Sequence, residues 1–88
     1  MTLDKAILAI IAPRYPGTQP LKTIRKLVND SAALDDTVGE EETLGTLNRL
    51  AKRNLAAVQV DELDGEARWG STAAGKERWI LDGQYRLG

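Results

Sequence analysis

Arg49, Lys52 and Arg53 follow one another at helical spacing with no acid among them, and Lys22, Thr23 and Lys26 make a second such group. Guanidinium and ammonium groups clustered in this way suit the binding of phosphate and of guanine edges. Each carries a full positive charge and donates several hydrogen bonds. Asp35, Asp36, Glu40, Glu41 and Glu42 offer the opposite chemistry, with no base between Ser31 and Asn48. A catalytic carboxyl needs an enclosed site that shifts its pKa, and these acids fall in an exposed, strongly charged stretch. Their order matches no calcium loop. The chain has no histidine and no cysteine. It therefore lacks the usual general base, the commonest zinc ligand and any disulfide framework. The expectation is a protein that is not an enzyme and holds neither metal nor cofactor.

The elements that must position these charges belong to one small domain. The chain has 88 residues, of which 42% are hydrophobic and 28% charged, with a net charge of −1. That is ordinary for a globular chain and too apolar for a disordered one. Its longest apolar run, Ala6 to Ala12, is far short of a membrane span, so a cytoplasmic location without membrane contact is expected. The near-neutral balance gives no blanket attraction to nucleic acid, but a local basic patch needs only a few Lys and Arg on one surface.

Thr2 is a good N-cap, and Leu3, Ala6, Ile7 and Ile10 recur at helical spacing, which predicts helix 1 over 3–12. Leu8 points away from that stripe; either helix 4 or the tail covers it, or it belongs to an association surface. Pro13 and Tyr15-Pro16-Gly17 end the helix. Leu21, Ile24, Leu27 and Val28 share one face of helix 2, over 21–29, with Lys22, Thr23 and Lys26 outward. Thr37 and Glu40 fit a capping box that opens helix 3 over 38–54. Leu44, Leu47, Leu50 and Ala51 form its expected buried stripe, and Glu42, Gly45, Thr46, Arg49 and Arg53 its outer face, with Lys52 beside them. Gly45 there serves either a close approach or nothing in particular.

From Leu55 the period changes to two, and Asp64-Gly65 predicts a tight hairpin turn. That turn sets Val60 opposite Trp69 and Asp61 opposite Arg68. Val58, Val60, Ala67 and Trp69 then share a core-facing side. Trp69 is expected in that core rather than as a platform for stacked bases. Ser71 and Thr72 cap helix 4, over 73–81, with Ala73, Ile80 and Leu81 inward. Trp79 lies off that face, either packed on helix 1 or free for a dimer contact. Residues 82–88 lack periodicity and are expected to form a frayed tail.

The passage L-x-x-L-A-K-R-N-L-A-A-V from Leu47 to Val58, the hairpin, and then T-A-A-G-K-E-R-W from Thr72 to Trp79 resemble the winged helix-turn-helix domain of transcription regulators. The resemblance covers about residues 3–81 and extends more distantly to small winged-helix proteins of transposable phages. It implies an α+β, mostly helical fold: three helices, a two-stranded β-hairpin wing and a C-terminal helix. It further implies double-stranded DNA as partner, with helix 3 as the recognition helix. Thr46, Arg49, Lys52 and Arg53 would read the major groove, Lys22, Thr23 and Lys26 would hold phosphates, and Arg68 would lean toward an adjacent groove. Three features depart from that pattern: a long connection between helices 2 and 3, the carboxylates that open helix 3, and the acidic hairpin tip. The acidic start of helix 3, the acidic tip, the near-neutral charge and the off-stripe Leu8 and Trp79 motivate the alternative of a protein-interaction module, a homodimer or an assembly subunit, with Leu8 and Trp79 on its contact surface.

Overall fold

The computed structural model describes residues 1–87. Among these the elements run α1 (Leu3–Ile11), a 3-10 turn (Ala12–Arg14), β1 (Thr18–Pro20), α2 (Leu21–Ser31), α3 (Glu40–Lys52), β2 (Ala56–Val60), β3 (Ala67–Ser71) and α4 (Ala73–Leu81). The architecture is α+β, four α-helices beside a three-stranded antiparallel sheet of order β1-β3-β2.

α1 begins where Thr2 accepts a hydrogen bond from the Lys5 amide and Asp4 meets the positive end of the helix. Every residue from Ala6 to Ala12 is buried, because α2, α3 and α4 all pack against this helix. A helix apolar all round belongs at the centre. Leu8 is therefore core and not an association surface.

The expected hairpin is present, but β3 is its shared strand and β1 pairs on the other side, with Thr18 opposite Gly70. The hairpin register differs from the predicted one. Val58 lies opposite Trp69 and Val60 opposite Ala67, so Arg68 faces Gln59 rather than Asp61. The cause is a wider loop: the Asp61 carboxylate accepts the Leu63 amide at 2.8 Å, and the Asp64 carboxylate accepts the Glu66 amide at 2.8 Å. The slip is by an even number of residues, so Val58, Val60, Ala67 and Trp69 still share a side. Only Trp69 reaches the core, and Val58 and Val60 project beyond it into solvent.

α4 differs more. Its inward residues are Gly75 and Trp79, while Ala73, Ile80 and Leu81 are exposed. Trp79 is core, only 4% exposed, and its indole Nε1 donates to the Tyr85 carbonyl at 2.9 Å. The helix ends in a Schellman motif. Gly83, at φ 103°, donates to Ile80, and Gln84 donates to Trp79. This turns residues 82–87 back over the core, where Tyr85 and Leu87 pack, so the stretch expected to fray is docked; Gly88 lies outside the described residues.

The Tyr85 hydroxyl is buried without a hydrogen-bond partner among the described residues, and its pKa is raised, first by burial and then by the Asp82 carboxylate. A folded pKa above the unfolded one gives stability that is complete below about pH 10 and is lost as pH climbs through the folded value. Because the buried hydroxyl has no partner to lose, Tyr85→Phe should be neutral or stabilising by up to about 1 kcal/mol at pH 7. It should also flatten part of the alkaline limb, as urea titrations at pH 7 and above pH 10 will show.

Candidate nucleic-acid interface

α3 is held at both ends. Upstream, the Asn29 side chain clamps Val38, accepting its amide at 2.8 Å and donating to its carbonyl at 3.1 Å. This pins the long α2–α3 connection to α2. It also holds Val38 outside the helix, so Gly39 and not Thr37 is the N-cap, and no capping box forms. Glu40, Glu41 and Glu42 fill the first turn, where the helix dipole favours them. Downstream, Asn54 takes the left-handed conformation at φ 60°. Asn54 donates to Ala51 and Leu55 to Leu50, which stops the helix and launches β2.

The rotation of α3 about its axis is not the predicted one. Thr43 and Thr46 are buried with Leu47 and Leu50, and Leu44 is exposed. Both threonine hydroxyls find local partners: Thr43 donates to the Gly39 carbonyl at 2.8 Å, and Thr46 accepts from Arg49 at 2.9 Å. With the hydroxyls satisfied, their methyl groups pack like small apolar side chains. Thr46 therefore lies inside and cannot be an outward contact.

At 100° per residue, the face opposite the buried stripe carries Glu41, Gly45, Asn48 and Lys52. Asn48 and Lys52 are exposed, and a Cβ at Gly45 would meet nothing within 4 Å. Asn48 was missed by reasoning from charge. Its amide can bond adenine bidentately, and only the helix rotation shows that it stands at the centre of the open face. Arg49 and Arg53 sit on one flank. Arg49 reaches the Asp4 carboxylate of α1 at 3.0 Å. That pair is solvent-exposed, so it orients the guanidinium more than it stabilises the fold. Arg53 lines a hollow with Asp4, Lys5 and Arg78, toward α1 and α4.

Lys22 and Lys26 are exposed one turn apart on α2, with Thr23 half-buried beside them. Among the described residues no hydrogen bond or ion pair links this group to the α3 cations. Arg68 is tied down: its Nε donates to the Thr18 hydroxyl at 3.2 Å and an Nη to the Thr18 carbonyl at 2.9 Å. It braces β1 against β3 and does not lean outward. Two of the acids at the hairpin tip, Asp61 and Asp64, are the turn-forming groups described above.

No protein-family model and no curated protein matches the chain. Among solved structures the fold is similar to that of BpsR of Bordetella bronchiseptica, in a study of how 6-hydroxynicotinic acid regulates the DNA binding of BpsR. The TM-score is 0.61 at 21% identity, over 92% of this chain and 58% of that one. At this identity the likeness is one of fold, and the chain spans little more than half the length of that neighbour. No helix among the described residues is long and apolar enough to cross a membrane.

Proposed function

We propose that this chain is a winged-helix DNA-binding protein of the regulator type, with α3 as the reading helix and the β2–β3 hairpin as the wing. The observation that carries the reading is the open outer face of α3. It holds Asn48 and Lys52 one turn apart, with Gly45 leaving room for a base edge and Arg49 on the flank. The element order supports it, with the hairpin directly after α3, as does the likeness in fold to BpsR, whose DNA binding is regulated. In this reading Lys52 and Asn48 meet the major groove, and Lys22 and Lys26 hold phosphates ahead of it. Thr46 and Arg68 serve the scaffold. The protein is non-catalytic and works beside DNA within the cell.

The test is titration with random and selected duplexes at about 50 mM and about 200 mM salt. Binding should weaken steeply with salt. Lys52→Ala should weaken it roughly tenfold and lower the salt slope by about 1. Asn48→Ala should instead relax discrimination at one base position, by about 1–3 kcal/mol. Absence of binding at low salt, or binding indifferent to salt, rejects the reading.

A further inference from the structure

Of the cations on α3, only Arg49 is paired with an acid among the described residues. Its two side-chain hydrogen bonds leave from one nitrogen. Nη2 donates to the Asp4 carboxylate at 3.0 Å and to the Thr46 hydroxyl at 2.9 Å. A guanidinium grips a base edge or a phosphate through one of two forks, Nε with Nη2 or Nη1 with Nη2. Nη2 belongs to both. With its two protons taken, neither fork is open, and Nε and Nη1 are left for single bonds only. Both acceptors are well fixed. Thr46 is buried, and Asp4 stands on a short side chain just ahead of the buried run of α1 that begins at Ala6. The charge of Arg49 is compensated too, since a carboxylate at 3.0 Å cancels most of the field that a phosphate would meet.

We infer that Asp4 is a specificity-determining residue of the proposed interface, an intramolecular stand-in for phosphate that withholds Arg49 from the duplex backbone; this rests on the reading of α3 as the DNA-facing helix. To reach a phosphate, Arg49 must give up Asp4 and Thr46 and leave a bare carboxylate beside the phosphate row. The exposed ion pair is worth up to about fivefold in an equilibrium, and the hydrogen bond about twofold to tenfold. With the bared carboxylate added, these outweigh the roughly tenfold that one phosphate contact supplies. A guanine edge met through a full fork is worth up to about a hundredfold and outweighs them in turn. Arg49 therefore stays on Asp4 over a sequence without guanine and leaves it for a guanine on its flank. Asp4 in this way lowers binding that is independent of sequence, which Lys52, with no ion-pair partner among the described residues, does not.

A duplex of A·T pairs alone offers phosphates and no guanine, so it isolates the effect. At about 50 mM salt Asp4→Ala should bind it about threefold to tenfold tighter than the wild type. The salt slope should steepen by about 1, because one more cation meets a phosphate. The double variant, Asp4→Ala with Arg49→Ala, removes the pair as a unit. It should return to within about twofold of the wild-type affinity and to the wild-type slope, since Arg49 makes no phosphate contact in the wild type. A second measurement needs no DNA. NMR of the labelled guanidinium should show slower rotation about the Cζ–Nη2 bond of Arg49 in the wild type than in Asp4→Ala, with the circular dichroism of the two proteins alike. Slow rotation in a wild type that binds no duplex at low salt overturns the DNA reading, and this inference falls with it. Three results overturn the inference alone. One is duplex binding that Asp4→Ala leaves unchanged in affinity and slope. Another is a double variant whose slope falls by about 1 below the wild type, which would mean that Arg49 already meets a phosphate. The third is rotation as fast in the wild type as in Asp4→Ala.

Discussion

Trp79→Ala should cost about 3–5 kcal/mol of folding stability. The indole is 4% exposed, and its loss removes two things at once. One is the largest apolar group that α4 contributes to the core against α1. The other is the Nε1 donor to the Tyr85 carbonyl, which holds the returning tail in place. Domains of this size have only about 5–15 kcal/mol in total, so the variant should be partly unfolded at 37 °C. Trp79→Phe separates the contributions: it keeps most of the packing and loses the hydrogen bond, for about 1–2 kcal/mol. Urea denaturation measures both. A surface tryptophan would respond differently, with a change within about 0.5 kcal/mol. That result would place Trp79 outside the core.

The placement of Trp79 also shows what a sequence discloses about such a fold. Hydrophobic periodicity located all four α-helices and the hairpin, since their stripes and turn residues are local signals. It failed where tertiary contacts decide between near-equal faces. In α4, Gly75 was invisible as a core residue because its value lies in having no side chain. In α3, Leu44 outranks Thr43 by hydropathy, yet Thr43 goes inside because its hydroxyl can reach the Gly39 carbonyl. That rotation moved Thr46 off the outer face and brought Asn48 onto it. β1 was hidden for a different reason. It is short, contains Pro20, and exists only because Gly70 and Arg68 on a distant strand receive it. The hairpin kept its correct side but not its register, because side-chain caps from Asp61 and Asp64 lengthened the loop. The candidate site was thus half legible. Lys22, Lys26, Lys52 and Arg53 are solvent-accessible as their charges suggested. Asp4, which holds Arg49 beside the local Thr46, and Thr18, which holds Arg68, lie 45 and 50 residues away and could not be read locally.

Two glycine-to-alanine substitutions should move stability in opposite directions, and the reason lies in what a methyl group would meet. At Gly75 a Cβ would collide with the Leu55 carbonyl oxygen and crowd the Ser71 hydroxyl at 2.5 Å. Neither is the loose end of a long side chain. The carbonyl is backbone at the exit from α3 and also accepts the Thr72 amide. Thr72 is fixed too: its hydroxyl accepts the Gly75 amide at 2.9 Å and donates to the Asn54 carbonyl. The T-x-x-G sequence is therefore a clamp between the start of α4 and the Asn54-Leu55 turn. Gly75→Ala must pry the two apart, at about 3 kcal/mol, which in a domain of this size lowers the melting temperature by roughly 10–20 °C. At Gly45 the added methyl meets nothing within 4 Å, in the interior of α3. Gly45→Ala should therefore raise stability by about 0.5–1 kcal/mol through helix propensity alone. Thermal melts of the pair decide the matter. A Gly75→Ala protein that melts with the wild type would mean that α4 does not sit against the α3 exit. The turn that aims α3 past the hairpin would then lack the support described for it.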